Sequence, residues 1–183
     1  MRIITGTLKG RRITMPKGLD VRPTTNRTKE SIFNKIEVYK HIDGARVLDL
    51  FGGSGSLGFE AISRGAATVT FVDINPRNIA LIEKTAKDFD VESHVRTAVC
   101  DVQKFVGAKA VPFDFIFCDP PYNYEWMNEL IALILSKNWL SKDGWFILEH
   151  DKYHRYKNHA HCFFSKGYGR TIVSIFENHT LDS

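Results

Sequence analysis

The chain has 183 residues, 43% of them hydrophobic, which suits one domain with a single ordinary core better than two. No run of about 18 apolar residues is present, and the start "MRIITGTLKGRR" lacks the features of a secretion signal, so the sequence predicts a soluble cytoplasmic protein with no membrane partner. The net charge is a modest +4, and the three cysteines, Cys100, Cys118 and Cys162, form no CxxC pair, which predicts neither disulfides nor a zinc site.

Charge is spread unevenly. Residues 1–40 hold ten Lys or Arg against three acids, so the rest of the chain is net acidic. A basic arm on an acidic body is the pattern of a nucleic-acid binder, because cations that neutralise phosphates release condensed counterions. A plain solvated terminus has the same composition.

Within that arm, "RIITGTLKGRRITMP" reads as two short strands about a glycine turn, a basic hairpin followed by the irregular loop "KGLDVRPTT". From Asn26 to about Tyr39, Ile32, Phe33 and Ile36 recur at helical spacing behind a Thr25 or Asn26 cap. Beyond residue 44 strand and helix alternate. "ARVLDL", "TVTFVD", "HVRTAVC", "FDFIFC" and "GWFILEH" read as strands, and "SLGFEAISRG", "PRNIALIEKTAKDF", "VQKFVG" and "YEWMNELIALILSKN" as helical segments between them. The tail adds "CFFSKGYG" and "RTIVSIFE" as a hairpin. This predicts an α/β, Rossmann-like fold with about seven strands, mostly parallel, closed by a C-terminal antiparallel hairpin and preceded by the basic hairpin extension. The expected division is an extension over residues 1–40 and a catalytic domain over 41–183.

Ligands of open α/β sheets bind beyond the carboxyl ends of the strands. After the first core strand comes "DLFGGSGSLG", with Gly52, Gly53, Gly55 and Gly58. Glycines there permit a sharp turn and close approach of a ligand, and the next helix offers free amides. The second strand ends in Asp73, placed to accept hydrogen bonds from ribose hydroxyls, and the third in Cys100-Asp101, an acid where an adenine edge would lie. The turn is not GxxxxGK[ST], which disfavours a phosphate-gripping loop, while a dinucleotide site stays formally open.

The fourth strand ends in "DPPY", Asp119 to Tyr122. An exocyclic amine on a nucleobase is a poor nucleophile because its lone pair is delocalised into the ring. Asp119 and the Pro120 carbonyl can accept its two hydrogens and aim the lone pair at an electrophilic methyl carbon, and Tyr122 offers a ring to a base drawn from its stack. Read without chemistry, the motif is a loop breaker followed by a surface aromatic.

These residues resemble the class I methyltransferases that use S-adenosylmethionine and carry an (Asp/Asn)-Pro-Pro-(Tyr/Phe) motif. Among them the chain is most similar to the RsmD family, through "RPTTNRTKESIFN" and the preceding basic segment, "VLDLFGGSGSLGFEAISRGA" and "FDFIFCDPPY". The resemblance implies methylation of the N2 amine of one guanine in 16S ribosomal RNA, in the small subunit or an assembly intermediate, by a monomer, with S-adenosylhomocysteine as product. It places Gly52, Gly53 and Gly55 on the methionine side of the cofactor and Asp73 at its ribose, with Asp101, Asp49 and Asn34 completing the set. Residues 24–34 become a helix that closes over the cofactor, and Asp119, Pro120 and Tyr122 the catalytic group. Arg2, Lys9, Arg11, Arg12, Arg22 and Arg27 are the expected RNA contacts, although Arg27 and Glu30 are also spaced for a helical ion pair. The rival enzyme reading is a DNA adenine-N6 or cytosine-N4 methyltransferase, and the rival of another class a catalytically silent RNA-binding assembly factor. The stretch "HDKYHRYKNHAHCFF" is expected to be a solvated loop, with phosphate contact or a metal site as alternatives. Tyr124 and Trp126 either border the base pocket or start the following helix.

Overall fold

The computed structural model describes residues 1–19 and 25–178. Among the described residues seven strands, β1 (Arg46–Leu50), β2 (Thr68–Asp73), β3 (Val95–Val99), β4 (Phe113–Cys118), β5 (Leu140–His150), β6 (Cys162–Tyr168) and β7 (Thr171–Glu177), form one sheet in the order β3-β2-β1-β4-β5-β7-β6. β1 to β5 pair in parallel, whereas β7 runs antiparallel to β5 and to β6, as the alternation and the tail hairpin predict. Strand order reverses between β1 and β4, which opens a crevice beyond their carboxyl ends.

The helices α1 (Asn26–Tyr39), α2 (Ser56–Ser63), α3 (Pro76–Asp88), α4 (Val102–Gly107) and α5 (Met127–Ser136) cover the sheet on both faces. Period-two alternation within each strand creates two cores. Val47, Phe71 and Phe117 face Phe33 of α1, Phe59 of α2 and Ile82 of α3, while Leu48, Ile116 and Phe146 face Val106 of α4 and Leu130 and Ile134 of α5. Burying each such side chain stabilises the fold by about 1.5–3 kcal/mol.

The N-terminal segment packs into the first core through Ile3, Leu8 and Ile13. The expected hairpin is shorter than its sequence suggests: one antiparallel bridge joins Arg2 to Arg12, supported by hydrogen bonds from Ile3 N to Arg11 O and from Ile13 N to Met1 O. The intervening backbone has other partners. Ile4 and Thr5 donate their amides to the Glu60 carboxylate at 2.8 and 3.0 Å, and Thr7 and Leu8 donate theirs to Ser63. Helix α2 therefore competes successfully for the ladder's donors.

Two further boundaries move. Tyr124 N bonds Pro121 O in a turn, which delays α5 to Met127, and β5 starts early at Leu140, crossing an irregularity near Asp143, whose φ is 63°. Among the described residues no helix is long and apolar enough to cross a membrane.

Candidate active site

The turn after β1 is built from left-handed residues: Phe51, Gly53 and Gly55 have φ of 59°, 53° and 76°. At Gly55, which caps α2, an added Cβ would also come within 2.8 Å of the Phe59 ring, so both conformation and space call for glycine. Gly58 serves packing instead: a side chain there would overlap the Phe71 ring. Asp49, buried near the end of β1, accepts the Gly58 amide at 3.1 Å and fixes where α2 begins.

Asp73 closes β2 over this turn. Its Oδ2 accepts from Gly53 N at 2.9 Å and from Asn78 Nδ2 at 3.0 Å, while its Oδ1 accepts from Asn75 N at 2.8 Å. Asn75 in turn caps α3 by accepting from Arg77 N. Asp101 stands at the end of β3 and caps α4 through Lys104 N, so part of its accepting capacity serves the helix.

Asp119 follows β4 directly. Pro120 is buried, and the chain then reverses in the turn closed by Tyr124 N and Pro121 O. Tyr124 packs edge-on against Phe51 with ring centroids 4.9 Å apart, which joins the DPPY turn to the glycine turn. Burial pushes the Tyr124 phenol up to about 12.

These segments enclose a cleft of about 530 Å³. Asp49, Gly52, Gly53, Asp73, Asp101, Asp119 and Pro120 line it, so these sequence-predicted residues are brought together at the reversal point of the sheet, whereas Gly55 caps α2 and is not among the described lining residues. Its electrostatics select the ligand. Four aspartates and no lysine or arginine are among the described lining residues, which suits a cation and opposes a phosphate. Burial raises the Asp49 carboxyl well above its ordinary value, against the Gly58 hydrogen bond and with help from the nearby Asp119 and Asp73 charges; a bound cation would relieve that cost. Exposed Ile74 offers an apolar surface at the mouth, and the buried Asn78 Oδ1 has no hydrogen-bond partner among the described residues. A positively charged nucleoside fits this donor set; a dinucleotide with its pyrophosphate does not.

Some expected residues lie elsewhere. Tyr122, 46% exposed, lines a neighbouring hollow rather than the cleft. Asn34 is exposed on α1 and absent from the cleft's lining, because the buried face of that helix is taken by Thr28, Lys29, Ile32, Phe33 and Ile36. Arg11 donates to Phe89 O at 3.1 Å and Asp88 O at 3.0 Å while stacking on Phe89, so its guanidinium completes the carboxyl end of α3 instead of standing free for phosphate. Arg2, Lys9, Arg12 and Arg27 are exposed, and Arg27 and Glu30 form no ion pair among the described residues. Arg22 lies outside the described residues.

The sequence reading missed Lys29. Fully buried, it donates to Arg2 O at 2.7 Å and Ser56 Oγ at 3.1 Å and sits 3.5 Å from Glu60 Oε2, linking the N-terminal arm to the residue that begins α2. A lysine and a glutamate at helical core positions were the available signal. The histidine segment is also less solvated than expected: His150 and Tyr156 are buried in edge contact, with His150 Nε2 2.8 Å from Ser174 Oγ. Among the described residues no group of His, Cys, Asp or Glu is arranged to hold a metal.

A family model described as conserved hypothetical protein 95 matches residues 1–177. The chain belongs to this family, the RsmD family. Relatives include ribosomal RNA small subunit methyltransferase D of Buchnera aphidicola, 37% identical over 82% of this chain and 78% of that protein. The protein of the same name in Escherichia coli K12 is 32% identical over 81% and 74%. A solved Escherichia coli structure described as a candidate methyltransferase, yhhF, is 29% identical over 97% of both chains, with a TM-score of 0.85. The fold is accordingly the class I methyltransferase fold. RsmD membership spans the N-terminal arm as well as the sheet, in keeping with the packing of Ile3, Leu8 and Ile13 into the first core.

Proposed function

We propose that this protein transfers a methyl group from S-adenosylmethionine to the exocyclic N2 amine of a guanine in 16S ribosomal RNA of the small subunit or its assembly intermediate. The observation that carries this reading is the DPPY turn forming one wall of a cleft that is lined by aspartates, holds no cation among its described lining residues and adjoins a glycine turn. The names of the relatives support the RNA substrate.

When bound, the cofactor supplies an electrophilic methyl carbon on a sulfonium whose departing group is a neutral thioether. Asp73 and Asp101 would hold its nucleoside end, and Asp49 with the Gly52 to Gly55 turn its charged amino-acid end. Asp119 and the Pro120 carbonyl accept hydrogen bonds from the guanine amine and thereby localise its lone pair toward the cleft, and once the N–C bond has formed one of those two protons leaves the nitrogen to solvent. The rigid Pro120-Pro121 pair keeps that carbonyl in place, so most of the rate enhancement is positional. Tyr122 stacks the extruded base. Residues 1–40 act as RNA-binding arm and cofactor lid, 41–183 as the catalytic unit of a cytoplasmic monomer.

A competition assay tests the substrate class. Labelled S-adenosylmethionine is offered to the protein together with small subunits lacking the modification and with unmethylated DNA. Label in the RNA supports the proposal; label in the DNA alone, or none anywhere, overturns it in favour of a DNA methyltransferase or a silent assembly factor.

A further inference from the structure

The DPPY turn has two sides. Asp119, Pro120 and Pro121 line the cofactor cleft, whereas Tyr122 lines a separate hollow of about 510 Å³ with Asp151, Lys152, Tyr153, Gly169 and Arg170. That volume lies within the roughly 300–1,000 Å³ of small-ligand sites. Tyr153 is 80% exposed, which leaves its ring accessible, and Lys152 Nζ lies 5.3 Å from its centroid.

The loop that presents Tyr153 is fixed. Asp151 Oδ1 accepts from Tyr153 N at 2.8 Å and from His154 N at 3.1 Å, and also contacts His154 Nδ1 at 3.0 Å. Behind it, His150 is tied to Ser174 of β7 and packed against Tyr156. The acid of the hollow is thus engaged in holding the loop, and the outward groups are an aromatic ring, Lys152 and Arg170 on the β6–β7 turn. An exposed ring flanked by cations on a rigid platform is what stacks an unpaired nucleobase and attracts its phosphate.

We infer that this hollow seats the nucleotide next to the target guanine, its base stacked on Tyr153 and its phosphate drawn by Lys152 and Arg170. The inference rests on the RNA-methylation reading above. Extruding the guanine deprives its neighbour of a stacking partner, and Tyr153 replaces that partner one step along the strand from Tyr122. The segment 150–157 thereby acts in substrate recognition.

The test compares full-length wild type with Tyr153→Ala, Tyr153→Phe, a Lys152→Glu/Arg170→Glu double variant and Lys109→Glu, an exposed lysine outside the hollow. Each is measured for kcat and KM on small subunits lacking the modification, for S-adenosylmethionine affinity, and for binding of a fluorescent single-stranded oligoribonucleotide containing guanine. Tyr153→Ala is expected to raise KM and weaken oligoribonucleotide binding about tenfold, with cofactor affinity unchanged and with rescue by Tyr153→Phe. The double variant is expected to flatten the salt dependence of RNA binding, and Lys109→Glu to leave it as in wild type. Unchanged RNA affinity in Tyr153→Ala overturns the inference, as does an equal loss in Lys109→Glu. A raised KM on subunits with unchanged oligoribonucleotide affinity would also overturn it, assigning the hollow to a ribosomal protein. Because RNA binding is read without turnover, failure of the methylation reading shows separately, as an inactive wild type whose RNA affinity still depends on Tyr153.

Discussion

The Asp73 carboxylate accepts the Gly53 amide at 2.9 Å, so the end of β2 holds the glycine turn that follows β1. One side chain thus shapes the turn and faces the cleft. Asp73→Ala removes this bond together with those from Asn75 N and Asn78 Nδ2. Hydrogen bonds to charged groups are worth about 1.5–3 kcal/mol, so the dissociation constant for S-adenosylmethionine should rise about tenfold or more. Isothermal titration calorimetry checks this, and an unchanged constant would count against the ribose role.

Asp119 has a different duty from Asp73. Asp119→Ala should abolish methyl transfer while leaving cofactor affinity nearly intact, because its proposed partner is the amine of the base. Single-turnover kinetics beside a cofactor titration separate the two; lost cofactor binding with retained turnover would contradict the assignment.

Much of this arrangement was legible from residues alone. The spacing of Ile32, Phe33 and Ile36 located α1, and the run "FDFIFC" located β4, because helices and strands buried on a sheet impose their periods on the sequence. Asp49, Asp73, Asp101 and Asp119 were findable since each stands at or near a strand's carboxyl end. Long-range competition was not legible. Nothing local to "IITGTLKG" announces that Glu60, more than fifty residues away, takes the amides of Ile4 and Thr5. Likewise the pattern of Arg11 and Arg12 does not reveal that one caps α3 and the other is solvated.

The buried Lys29 and Glu60 are unequal partners. Glu60 also accepts from Ile4 N, Thr5 N and Arg64 Nε, whereas removing Lys29 leaves Glu60 with three other donors. Glu60→Ala should therefore destabilise the protein by about 3–5 kcal/mol, the range for breaking a buried ion pair, and Lys29→Met by less. Urea unfolding of both variants decides it; the reverse order would refute this account of the arm's attachment.

Burial lowers the His150 pKa below its ordinary 6.5, only partly offset by the hydrogen bond to the Asp151 carbonyl and the Asp151 charge. The unfolded chain then binds more protons than the folded one between the lowered value and 6.5, so stability is full above 6.5 and declines as pH falls through that window. His159, lowered first by burial and then by His161, acts in the same direction. His150→Gln should flatten the acid decline without abolishing it, as read from unfolding midpoints across pH; an unaltered slope would contradict the role of His150.

The chemistry assigned to the DPPY turn is decided by the identity of the methylated nucleoside. Small subunits lacking the modification are incubated with labelled S-adenosylmethionine and the protein, and the RNA is digested and analysed by mass spectrometry. N2-methylguanosine, absent with Asp119→Ala, is the predicted result. Label confined to N6-methyladenosine or N4-methylcytidine, or N2-methylguanosine that persists with Asp119→Ala, would contradict it.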